Sequence, residues 1–204
     1  MLHFLENGDT VWGSGIRGLH ESEIKIKQNV KFEAVRSPLT REKLLSTGNY
    51  DIPEIYGDSG LLAPLVYPKS SLETECKDKK IALLPNLNEL QKWADYAKDL
   101  GSKYKLISPT NHPKEVIKEI INSEAIITSS LHGFIMAETY QVPRSLVTST
   151  VEPRFKYDDY YEGTGRASLK IHKDIKSAED SIDDSTLNFN KNILLESFPS
   201  YLWR

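Results

Sequence analysis

Residues 126–138 read IITSSLHGFIMAE, and the order of residue types in this stretch decides the fold. Ile126, Ile127 and Thr128 form a β-branched run suited to a buried strand, two serines interrupt it, and residues 131–138 resume as an apolar helix. A strand running into a helix is the unit of an open parallel sheet, whose ligands bind beyond the carboxyl ends of the strands. A helix that starts there offers unpaired N–H groups and a positive dipole to an anion. Ser129, Ser130 and Gly133 are therefore candidate binding residues, and His132 stands in the first helical turn as the candidate catalytic group. A histidine at a helix start also serves as a cap or hydrogen-bonded core residue, because its two nitrogens suit either role. Glu138, six residues on, is read as a contact for a substrate hydroxyl or as a helix residue without a role.

The flanks repeat the same alternation. Residues 81–85 are an apolar strand. Residues 86–100 follow as a helix with Leu90, Trp93, Ala94, Ala97 and Leu100 on one face, a box-like Asn86/Glu89 start and Gly101 past its end. Residues 104–108 are the next strand, and Asn111, His112 and Pro113 open a helix carrying Val116, Ile117, Ile120 and Ile121. One more strand covers 144–148. Strands alternating with amphipathic helices predict a right-handed parallel α/β sheet, a Rossmann-like unit. The chain ends in a further helix over 185–198. Residues 61–80 lose periodicity and gain proline, serine and charge, so they read as a linker. This divides the chain into 1–70, an incomplete Rossmann-like part, and 71–204, a complete one.

The first part carries its own candidates. Residues 10–18, TVWGSGIRG, form a short strand broken by glycines, and Gly13, Ser14 and Gly15 let the backbone approach a ligand. Gly13, Gly15 and Gly18 spell GxGxxG, but residues 19–28 do not read as the helix that a dinucleotide fingerprint requires. Arg36 falls between a strand ending at Val35 and a helix opening at Ser37 and Pro38, where a guanidinium can fork onto a carboxylate or phosphate. Asp58, in the tight turn after a strand at 52–56, binds a hydroxyl or steadies Arg36. Near the other end, Lys156, Asp159, Tyr160 and Arg166 form a set that closes over a site, or a solvated helix whose tyrosines cover a core edge.

Composition narrows the classes. With 39% apolar residues in 204, the chain supports a sizeable core, and a net charge of −3 without a basic stripe argues against nucleic-acid binding. The single Cys76 rules out an internal disulfide and a cysteine metal cluster, and His3, His20, His112, His132 and His172 lack metal-ligand spacing. No apolar run spans a bilayer and the start lacks a signal peptide, so a cytoplasmic protein is expected.

Taken in order, VWGSGI, AVRSPLTREKLL, IYGDSGLL, HPKEVIKEI, AIITSSLHGFIMAETYQVP and FKYDDYYEGTGR resemble the successive blocks of the polysaccharide pyruvyl transferases. The resemblance covers residues 11–166. It implies a GT-B-like fold of two Rossmann-like domains facing a cleft, in which Arg36 and His132 share a site. It also implies transfer of pyruvate from phosphoenolpyruvate, as donor substrate and without a cofactor, to a sugar of a surface polysaccharide or its lipid-linked precursor. The family carries several βα units ahead of the VWGSGI block, so the first domain here is expected to lack most of its strands and to favour homo-oligomers. Contact with a membrane would come only through the acceptor. Many members have an arginine where this chain has Ser130. Two other readings stand beside this one: a GT-B-like nucleotide-sugar glycosyltransferase or epimerase, and a non-catalytic truncated pseudoenzyme.

Overall fold

The computed structural model describes residues 2–18, 26–75 and 78–203. Cys76, His20 and most of the stretch after the glycine turn lie outside the described residues. In chain order the strands are β1 (Thr10–Val11), β2 (Lys31–Phe32), β3 (Ile81–Leu84), β4 (Tyr104–Leu106), β5 (Ala125–Thr128) and β6 (Arg144–Leu146). The α-helices are α1 (Pro38–Leu45), α2 (Ala63–Val66), α3 (Leu90–Asp99), α4 (Pro113–Ile121), α5 (Leu131–Thr139), α6 (Phe155–Gly163), α7 (Ile175–Glu179) and α8 (Lys191–Glu196).

The chain divides into two compact units, Met1–Ser59 with Glu152–Leu169 and Asn188–Arg204, and Gly60–Val151 with Lys170–Leu187. A boundary at residue 70 falls inside the second unit, and the C-terminal stretches alternate between the two. The physical reason lies in side chains whose partners are remote in sequence. Trp12 Nε1 donates to Leu194 O and Ser197 Oγ at 3.0 Å, and the α6 carboxylate of Asp159 is buried against α1.

The second unit is a doubly wound sheet in the order β4-β3-β5-β6, every pair parallel. The period of two along each strand explains the two layers around it. Ala82, Leu84 and Ile126 face a cluster supplied by Ile117, Ile120 and Ile121 of α4 and Ala137 of α5, while Ile81, Leu83, Ala125 and Ile127 face Trp93 of α3 and Ile175 and Ala178 of α7. Both faces of β3 and β5 are covered, which is why these strands read as unbroken apolar runs. From β3 the chain first moves out to β4 and then returns to β5 on the other side, so the order reverses between β3 and β5. The segment expected to be a linker instead folds into short helical turns, because Leu61, Leu62 and Leu72 are buried.

In the first unit β1 and β2 pair in parallel, and isolated bridges continue the pairing from Ser14 to Val35 and from Val35 to Tyr56. The strand expected at 52–56 is reduced to that last bridge. A core of Val11, Ile16, Phe32, Val35, Leu44 and Ile52 fills the space beneath. The terminal helix is shorter than expected, six residues with only Leu194 buried.

Candidate functional site

The turn between β5 and α5 sits at the reversal of strand order, and its side chains are tied to the end of β3. Thr128 Oγ1 donates to Leu84 O at 2.5 Å and accepts from Ser130 N at 2.9 Å, which pins the two strand ends together. Ser129 Oγ accepts from Asn86 N at 2.9 Å and donates to Glu89 Oε2 at 2.8 Å. Ser130, in extended conformation, is the N-cap of α5, and its hydroxyl accepts from Gly133 N. The N–H groups of Leu131 and His132 have no intrahelical acceptor, as at any helix start. A Cβ on Gly133 would stand 2.7 Å from both Leu84 Cδ2 and Thr128 Oγ1. Only glycine lets the helix begin this close to the strands. His132 is exposed, at the first turn of α5.

Glu89 anchors the neighbouring loop. It is 3% exposed, and besides Ser129 it accepts from Ser149 Oγ at 2.8 Å and from Thr150 N and Oγ1 at 2.9 Å. Burial pushes its carboxyl up, but the Thr150 N–H and the hydroxyls of Ser129, Ser149 and Thr150 outweigh this and hold it below its ordinary value. Glu89 thus fastens together the segments that follow β3, β5 and β6. The sequence reading gave it a different role: with Asn86 it resembled a capping box. Asn86 does cap, accepting from Asn88 N, but the glutamate turns inward. The signal that could have revealed this is the cluster of hydroxyl residues, Ser129, Ser149 and Thr150, just past the ends of two strands.

Glu138 lies at the far end of α5. Its side chain is fully buried and ion-paired with Arg144 at 2.7 Å, so it holds the helix to β6 and is closed to a substrate hydroxyl.

In the first unit the remaining candidates gather at the carboxyl ends of its short parallel strands. Gly13, with φ of 63°, bonds through its N–H to Ala34 O, and Arg36 N bonds to Ser14 O. Arg36 is 4% exposed. Its Nε donates to Asp159 Oδ2 at 2.6 Å and its terminal nitrogen to Ile16 O at 2.9 Å, while Asp58 lies 3.9 Å away. The fork expected to seize an anion is engaged inside the protein. Asp159 also accepts from Ser37 Oγ, Thr40 N and Thr40 Oγ1. Gly15 leaves the room for this pair, since a Cβ there would stand 2.5 Å from Asp159 and 2.6 Å from Arg36. Lys156 pairs with Glu152 at 3.5 Å. Burial, with Arg36 and Arg17 nearby, pushes its amine down, and Glu152 only partly opposes this. Tyr160 is buried, and Arg166 packs over the Tyr161 ring at 3.7 Å. Arg36 and His132 belong to different units.

Among the described residues no group of three His, Cys, Asp or Glu side chains is placed to hold a metal ion, and no helix is long and apolar enough to cross a membrane. A parallel sheet with a capped helix start and an exposed histidine at its switch point is the layout of the α/β proteins that hold ligands at the carboxyl edge. The polysaccharide pyruvyl transferase family model matches residues 2–148, and the chain belongs to that family. Over 74 residues it is 35% identical to the succinoglycan biosynthesis protein ExoV of Rhizobium meliloti (strain 1021), a stretch covering 36% of this chain and 23% of that protein. No solved structure matches.

Proposed function

We propose that the protein takes part in transferring pyruvate from phosphoenolpyruvate to a saccharide acceptor of exopolysaccharide synthesis, as a protein of GT-B-like fold. The observation that carries the reading is the β5–α5 turn: within a member of this family, an exposed imidazole stands at a helix start on the switch point of a parallel sheet. The free N–H groups of that start receive the carboxylate or phosphate of the donor. His132 moves the proton. In the overall reaction the donor's methylene carbon gains a proton, two sugar hydroxyl oxygens bond to its central carbon, and inorganic phosphate leaves with the other proton. His132 supplies or removes one of these protons. Arg36 and Asp159 hold α1 and α6 of the first unit together, and Lys156 pairs with Glu152 beside them. No cofactor is needed for this balance.

The test is incubation of the protein with phosphoenolpyruvate and a neutral oligosaccharide. Phosphate release matched by a pyruvylated saccharide in the mass spectrum supports the reading. Binding of a nucleotide sugar in place of phosphoenolpyruvate would replace it with the glycosyltransferase alternative.

A further inference from the structure

Beside the switch point, the second unit holds a cleft of about 500 Å³ between α3, the segment after β6 and the start of α7. Its volume is of the size that takes a small organic ligand. Trp93 and Tyr96 of α3 line one side, Val147, Thr148 and Thr150 another, and Asp174 and Ile175 a third. Tyr96 is 46% exposed, so much of it faces solvent, while Trp93 is rooted in the core. Four carboxylates, Glu89, Asp95, Asp99 and Asp174, face two ammonium groups, Lys92 and Lys173, so the lining carries two net negative charges. Counting Lys98, which pairs with Asp95 at 2.9 Å, the balance stays negative.

That charge decides among ligand classes. A phosphate-bearing donor or a nucleotide brings two or more negative charges and is repelled. A neutral pyranose fits: its C–H face packs on an aromatic ring, and its hydroxyls donate to carboxylates, which form stronger hydrogen bonds than neutral acceptors. The cleft also connects physically to the candidate catalytic turn, because Glu89 lines it while accepting from Ser129, three residues before His132.

We propose that this cleft is a subsite for a neutral hexopyranose unit of the acceptor saccharide. Calling the sugar the acceptor rests on the pyruvyl-transfer reading, whereas the binding itself does not. The experiment is a titration of the full chain with cellobiose, lactose and maltose, read by saturation-transfer difference NMR without phosphoenolpyruvate. At least one disaccharide binds the parent, Tyr96→Ala weakens it about tenfold or more, and Tyr96→Phe retains it. Tyr96 is far from fully buried, and thermal melts confirm that the variants fold. Phosphoenolpyruvate does not displace the sugar. Failure of all three disaccharides to bind the parent, equal binding by Tyr96→Ala, or competition by phosphoenolpyruvate would each overturn the proposal. Sugar binding without any pyruvyl transfer would leave the cleft standing and remove the proposed function.

Discussion

Replacing Glu89 by Gln tests whether one buried carboxylate holds the switch-point loops in place. The carboxylate accepts four hydrogen bonds, two on each oxygen. The amide keeps one oxygen, which accepts from both Thr150 donors as neutral bonds. Its nitrogen meets Ser129 and Ser149, whose hydroxyl protons lose their acceptor. Charged hydrogen bonds contribute about 1.5–3 kcal/mol each and neutral ones about 0.5–1.5. Relief from burying a charge returns part of the loss, so the net destabilisation is about 3 kcal/mol. For a chain of this length that lowers Tm by roughly 6–12 °C near neutral pH. The pH dependence has a definite sign. The folded pKa of Glu89 is depressed below its ordinary value of 4.5, so its stabilisation is full above that value and is lost as pH falls through the folded pKa. His172 acts in the same direction: burial, with Lys170 nearby, lowers its pKa, so protonation on acidification opposes folding. Thermal melts followed by circular dichroism across acidic pH measure both effects. A Glu89→Gln protein that melts within a degree of the parent at neutral pH, with the same acid limb, would refute the reasoning.

Other substitutions probe the packing within each unit. Gly133→Ala forces a methyl group against Leu84 and Thr128, and overpacking of this kind costs about 1–3 kcal/mol in urea unfolding, with pyruvyl transfer falling alongside. Asp159→Ala strands the Arg36 guanidinium inside the first unit, and breaking such a pair costs about 3–5 kcal/mol; a loss under 1 kcal/mol would show that the pair is not what secures α6.

Much of the second unit was legible in its residues because period-two and period-3.6 patterns act locally. Ile126 to Thr128 followed by two serines defines a strand and a helix cap whatever lies around them, and the structure has both. What could not be read locally were side chains whose partners lie far along the chain. Glu89 looked like part of a cap because its spacing from Asn86 is local, while its partners lie 40, 60 and 61 residues away. Arg36 read as a fork for a carboxylate or phosphate, and its buried partner Asp159 went unseen because it is 123 residues distant. The same cause hid the return of α6 and α8 to the first unit. Residues 153–166 read either as a set closing over a site or as a helix whose tyrosines cover a core edge, and only folding reveals that Asp159 turns inward together with Tyr157 and Tyr160.

The central claim concerns His132, and it is tested most directly by comparing His132→Gln with the parent in both phosphoenolpyruvate binding and pyruvyl transfer. The side chain is exposed, so the variant keeps the fold. Under the proposed function the backbone N–H groups would carry the anion affinity and the imidazole would move the proton, so binding should change by no more than about threefold while turnover falls ~100- to 10,000-fold. Turnover equal to the parent's with phosphoenolpyruvate and an acceptor saccharide would contradict the account and leave His132 as a surface residue at a helix start.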